Sequence, residues 1–265
     1  MPDKTEHVVV TGSAAASIDL SELWRAHRDG PDGWASVTRH TGSFPDRVTK
    51  VAAEALTGAG ADPAATGLVL GSLYGMGYVA ESINHRLAVK GARWLDPDAF
   101  LHFTPHGLTA TVCMGLGLEG FAATLLGPAA GLQAMAQAVR RIRLGRSRAV
   151  VCGAYEALSP AAAARVRDGS AAGVAAFLVL EPEFEARRRG ARPLGTVRSV
   201  TAETEPHEPL AGPLPAEFDA AGGLTELAQA LRRPDPARPE ITVERRAPGL
   251  RYRCTLRKGA PDDLR

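Results

Sequence analysis

The stretch Phe121–Arg143, FAATLLGPAAGLQAMAQAVRRIR, constrains the fold more than any other part of the chain. A short apolar run, Phe121–Leu126, reads as a strand, and Gly127-Pro128 as an abrupt turn. Beyond the turn, Leu132, Met135, Ala136, Val139 and Ile142 recur at helical spacing, with Gln133, Gln137, Arg140, Arg141 and Arg143 on the other face. A strand that turns sharply into a helix presents the turn residue at the helix N-terminus, where unpaired N–H groups and the helix dipole favour negative charge. Enzymes place nucleophiles at such points. Here the turn residue is Pro128, which has neither a nucleophilic side chain nor an N–H. Proline is tolerated at the first helical position, so the reading is Gly127 as cap and Pro128 at N1.

Composition excludes several classes. A 265-residue chain with 45% hydrophobic residues and 23% charged ones is an ordinary globular protein of one large domain or two modest ones. The N-terminus is charged and no apolar run approaches the roughly 18 residues of a membrane helix, so a cytoplasmic protein is expected, with no membrane partner. Cys113, Cys152 and Cys254 lie far apart without metal-ligand spacing, and each suits a buried core position, so neither a disulfide framework nor a metal site is expected. A net charge of +2 gives no case for nucleic acid.

Along the chain, apolar and polar segments alternate as strands and helices of an α/β protein with a largely buried sheet. His7–Thr11 reads as a buried strand ending at a Gly12-Ser13 turn, followed by an irregular stretch Ser13–Asp46 with a helix at Asp19–Arg28. Arg47–Gly58 is helical with Val48, Val51, Ala52, Ala55 and Leu56 inward, Gly67–Leu73 is a strand, and a helix from Gly77 to Val89 stops at Gly91. His102 and His106 precede or open a helix carrying Leu108, Val112 and Leu116. Strands follow at Ala149–Cys152, with a turn at Gly153, and at Val174–Leu180. The GxGxxG at Gly115–Gly120 precedes a strand, whereas a dinucleotide loop must follow one, and the glycine pattern after Gly12 is equally wrong, so no cofactor is expected.

Several of these segments, taken in order, resemble the N-terminal half of a β-ketoacyl synthase of the thiolase fold: VVVTG from Val8, AAEALTGAG from Ala52, the VKG at Val89, Pro105-His106, the turn-and-helix unit, AVVCGAYEALSP from Ala149 and RDGSAAGVAAFLVLEPEFEARRRGA from Arg167. The likeness is strongest to the chain-length-factor subunits that pair with active ketosynthases in type II polyketide systems. It implies a layered αβαβα fold and places the family's catalytic cysteine, replaced in chain-length factors, at Pro128. It covers about residues 7–195, with departures: the loop before RDG is short, and Val174 stands where an acidic residue is expected.

The rest, 196–265, reads as a shortened second half: a strand at Thr196–Thr201, a proline-rich loop at Glu205–Pro215, a helix at Leu224–Leu231 and a hairpin of Ile241–Arg245 with Leu250–Lys258. His207, its only histidine, matches neither histidine motif of the family. Claisen condensation needs a thiolate and histidines, so the resemblance implies a subunit without its own condensing activity. It further implies an active ketosynthase as heterodimer partner, an acyl carrier protein engaged mainly through that partner, and a tunnel or interface formed by Tyr78, Ser82 and His85, at i, i+4 and i+7 of one helix, with Leu125 and Leu126 of the strand Phe121–Leu126. Two other readings stand beside it: a stand-alone enzyme, as a thiolase-fold decarboxylase or acyltransferase or a nicotinamide oxidoreductase, and a homodimeric binding or structural protein.

Overall fold

A computed structural model describes residues 7–21, 43–95, 97–101, 103–163, 172–206, 219–233 and 237–259. Its framework is one eight-stranded mixed sheet in the order β3-β2-β4-β5-β1-β6-β8-β7. The strands are β1 (Val8–Asp19), β2 (Thr66–Ser72), β3 (Ala122–Leu126), β4 (Ala149–Glu156), β5 (Ala172–Pro182), β6 (Gly195–Thr204), β7 (Glu240–Ala247) and β8 (Leu250–Lys258). β2 runs parallel to β3 and β4, and the other neighbours are antiparallel.

Helices cover both faces of the sheet. On one lie α1 (Phe44–Ala59), α2 (Gly77–Lys90) and α3 (Pro105–Leu116), which bury Val48, Ala52, Tyr78 and Leu108 against Leu68, Leu70 and Phe177. On the other lie α4 (Ala130–Arg143) and, past the short α5 (Glu183–Arg188), α6 (Gly222–Arg232). There Leu132, Met135 and Val139 of α4 meet Leu224, Leu227 and Ala228 of α6 over Val150, Cys152 and Leu178. The polar side of α4 carries its last-turn arginines, as the amphipathic pattern requires.

The expected helices Arg47–Gly58, Gly77–Val89 and Leu224–Leu231, the strand Gly67–Leu73 and the terminal hairpin are present, with ends that coincide or differ by up to three residues. Three expectations are corrected. No turn follows Gly12: β1 continues to Asp19, with only a bulge between Val10 and Gly12, because its second half pairs residue for residue with β5, Ala14, Ala15 and Ala16 standing opposite Phe177, Ala176 and Ala175. Gly12 itself is a close-approach residue, since a Cβ there would stand 2.1 Å from the Ala55 carbonyl oxygen of α1. Gly153 likewise marks no turn. It sits within β4 under the Phe177 ring, whose carbons would lie 2.2 Å from an added Cβ, so glycine at this site serves packing and not chain reversal.

The third correction concerns the start of α4. Ala129, and not Gly127, is the N-cap, with φ 58° and ψ 17°, and the helix begins at Ala130. Pro128 therefore precedes the cap and is not N1. Of the expected helix Asp19–Arg28, Asp19 belongs to β1 and residues 22–28 lie outside the described residues, as do His102, His207, Arg167–Gly169 and 207–215 of the proline-rich loop.

Candidate functional site

The parallel strands β2, β3 and β4 end together, and three things meet there: the turn into α4, the loop from β2 into α2, and the N-terminus of α6. Ala129 is the one non-glycine residue with positive φ among the described residues. A left-handed alanine costs about 1–2 kcal/mol, so the turn is held by its surroundings. The holding bonds can be named. Gly127 donates to the Ser72 carbonyl (3.0 Å), closing the turn onto the end of β2. Ala130 donates to Gly127 O (3.2 Å), and the Gln133 side chain donates to Pro128 O (2.9 Å).

Gly131, the second residue of α4, donates its N–H to the Ala220 carbonyl (3.0 Å). That carbonyl is delivered by the α6 N-terminus, where Asp219 accepts from the Ala221 and Gly222 N–H groups at 2.6 and 2.8 Å. A helix N-terminus attracts anions because its first N–H groups are free. In α4 those of Ala130 and Gly131 are occupied by backbone carbonyls, and Pro128 has none to offer.

A carboxyl lies next to this turn. Glu156, 8% exposed at the end of β4, accepts from Ser72 Oγ (3.3 Å), Tyr74 N (3.4 Å) and Leu73 N. Ser72 Oγ in turn accepts from Gly75 N (2.8 Å), so one acid organises the whole loop that leads into α2. Burial outweighs these donors and, with a smaller contribution from Asp219, pushes the Glu156 pKa up to about 8. Tyr155 beside it is fully buried, and its pKa is raised chiefly by burial.

The residues expected to form a tunnel or interface separate by depth. Tyr78 is 1% exposed and its ring meets Phe44 edge-on at 6.1 Å, within the core. Ser82 is half-buried and His85 is exposed, so the α2 stripe runs outward from the core to the surface. Leu125 is half-buried on β3 and packs toward the α4 side; Leu126 is 50% exposed and lies against Gly75, next to the loop before α2. Leu126 and the root of α2 are thus brought together, while Tyr78 turns away from them. His106, exposed at the start of α3, places Nδ1 3.3 Å from Thr124 Oγ1 of β3.

None of the three thiols is poised as a nucleophile. Burial raises the pKa of Cys113, of Cys152 well above its ordinary value, and of Cys254 to about 12. Glu156 was findable as the acid closing the apolar run AVVCGAYE. The Ala220 carbonyl was not, because no side chain announces a backbone acceptor delivered by tertiary packing.

The β-ketoacyl synthase N-terminal domain matches residues 39–176. The ketoacyl synthase alpha subunit of the tetracenomycin polyketide synthase from Streptomyces glaucescens is 29% identical over 229 residues, taking in 71% of this chain and 54% of that protein. The chain thus spans about half the length of this curated relative. Among solved structures, a type II polyketide synthase acyl-carrier protein in complex with its ketosynthase bound to the hexaketide aligns at TM-score 0.71 and 16% identity, over 96% of this chain and 100% of that one. The ishigamide ketosynthase/chain length factor aligns at 0.70 and 16%, again over 96% and 100%. A β-ketoacyl synthase from Burkholderia phymatum aligns at 0.67 and 14%, over 97% and 100%. At these identities the structural matches speak for the thiolase-like α/β fold.

Proposed function

Because the chain belongs to the β-ketoacyl synthase family, whose N-terminal domain takes in more than half of it, we propose that it is a non-catalytic, chain-length-factor-like subunit that pairs with an active β-ketoacyl synthase in type II polyketide biosynthesis. The observation that carries this reading is the state of the turn into α4. Condensation requires a thiolate and donors to stabilise the oxyanion. Pro128 supplies neither, and the N–H groups of Ala130 and Gly131 are already bonded to Gly127 O and Ala220 O. A turn closed in this way suits a residue that shapes space beside another subunit's reaction.

In this reading residues 1–195 are the ketosynthase-like half and 196–265 a shortened second half, acting in the cytoplasm. The partner's cysteine and histidines do the chemistry on chains delivered by an acyl carrier protein, which docks mainly on that partner. Support for pairing comes from the sheet edge. β3 is the terminal strand, with Ala122 and Leu126 exposed, and an unpaired edge is a template for another strand. The large apolar side chains exposed among the described residues concentrate between Leu87 and Leu126, with Trp94 56%, Leu101 68% and Met114 77% exposed. Leu126 and His85 would meet the partner directly, Ser82 and Leu125 would line the approach, and Tyr78 would set the depth of the tunnel wall from inside the core.

The test is co-expression with an active ketosynthase subunit, followed by native mass spectrometry. A one-to-one heterodimer that is lost when lysine replaces Leu126 is expected. A stable homodimer that ignores the ketosynthase, or turnover by the chain alone, would overturn the reading.

A further inference from the structure

At the opposite end of the sheet from the α4 turn, the start of β2, the residues leading into β3 and the turn from α4 into β4 border an open cleft of about 350 Å³. α4 is 14 residues long, so the cleft lies about 20 Å from Pro128 and takes no part in the site described above. Its walls are Ala65, Gly67, Gly120, Phe121, Gly145, Arg146, Ser147 and Arg148. We infer that this cleft binds a small phosphate-bearing molecule, a phosphate ester or a diphosphate, through Arg146 and Arg148.

Charge pairing is the first observation. Among the described residues many arginines sit on carboxylates, such as Arg187 on Glu183, Arg188 on Glu185, Arg189 on Glu181, Arg232 on Glu54, Arg245 on Glu226 and Arg253 on Glu244, whereas the scattered, exposed Arg192, Arg198, Arg233 and Arg257 do not. Among the described residues, Arg140, Arg143, Arg146 and Arg148 meet no carboxylate, and the nearby Glu119 pairs with none of them. The α4 dipole accounts for cations in its last turn, at Arg140, Arg141 and Arg143. It does not account for Arg146 and Arg148, which lie beyond the helix end.

The second observation is that the cleft is built and not merely lined. Arg141 lies flat over Phe121, its guanidinium carbon 3.6 Å from the ring centroid, and donates from Nε to Ser147 Oγ at 3.3 Å. These two contacts tie two of the lining residues, Phe121 and Ser147, to α4 through one arginine. Gly67 and Gly120 let the start of β2 and the lead into β3 pack backbone to backbone at the cleft wall, since a Cβ on Gly67 would stand 2.6 Å from Phe121 O and one on Gly120 2.7 Å from Gly67 N. Guanidinium groups present planar donor forks that match phosphate oxygens. The volume falls within the range of about 300–1,000 Å³ typical of small-molecule sites, leaving room for an organic body beside the charged group.

Isothermal titration of the intact chain at low ionic strength with inorganic phosphate, pyrophosphate and ADP tests the assignment. Pyrophosphate or ADP is expected to bind with a Kd below about 1 mM, weakening as salt rises. In the double variant Arg146→Ala, Arg148→Ala binding should fall at least tenfold with an unchanged melting temperature, since both side chains are exposed. Tighter binding of ADP identifies an ester as the ligand class and tighter binding of pyrophosphate a free polyphosphate. Absence of heat from all three probes at 5 mM, or equal binding by the double variant, overturns the inference.

Discussion

Replacing Glu156 with glutamine should flatten the dependence of stability on pH, and the size of the effect follows from burial. The folded-state pKa stands at about 8 against an ordinary value of 4.5. Between these values the folded protein holds a proton that the unfolded chain has released, so stability falls as pH rises, by about 1.4 kcal/mol per unit. The advantage is complete below pH 4.5 and gone above pH 8. From pH 5.5 to 7.5 this amounts to about 2–3 kcal/mol, or roughly 5–10 °C in Tm for a chain of this size. Other perturbed groups act outside that window. The hydroxyls of Tyr78 and Tyr155 and the thiols of Cys152 and Cys254 are pushed upward by burial. Glu203, held down by Arg251, acts only at acid pH. The charged group facing Glu156 is Asp219. Calorimetric melts at half-unit steps should show the decline in the native protein and none in Glu156→Gln, whatever the variant's absolute stability. The same slope in both proteins, or a native profile that is flat or rising, would refute the reasoning.

Two glycines give contrasting outcomes in urea unfolding. Gly12→Ala presses a methyl onto backbone at Ala55 and should cost upwards of 3 kcal/mol, while Gly153→Ala meets the Phe177 ring, a side chain and not backbone, and should cost about 1–3 kcal/mol; the reverse order would contradict the packing described. Arg189→Ala strips its partner from Glu181, which is 3% exposed and otherwise held by Thr11, and a loss of about 3–5 kcal/mol is expected at neutral pH. In a reconstituted complex with an active ketosynthase, Tyr78→Ala should lengthen or broaden the products read by mass spectrometry. An unchanged profile from a folded complex removes Tyr78 from the tunnel wall.

How far the fold could be read from residues alone depended on whether the signal was local. The α4 unit was legible because Leu132, Met135, Val139 and Ile142 repeat at helical spacing and all prove buried. The hairpin was legible because Tyr252, Cys254 and Leu256 alternate with Arg253, Thr255 and Arg257. The misread glycines failed for one reason: Gly12 and Gly153 have the local signature of turns, but their role is to let α1 and Phe177 approach the sheet, which only tertiary structure reveals. The α4 cap was misplaced because strain at Ala129 comes from bonds to Ser72, Ala220 and Gln133, none of them evident in the dipeptide Gly127-Pro128. At the candidate site, Pro128 was visible in sequence, while the closing of Gly131 by a carbonyl far along the chain was not.

The central claim is that this chain lends shape and its partner supplies reactivity. Intact-mass measurement of the co-purified complex after incubation with an acyl thioester tests it most directly. The account predicts an acyl adduct on the ketosynthase subunit and an unmodified mass for this chain. An acyl group carried on this polypeptide, in the complex or alone, would contradict it.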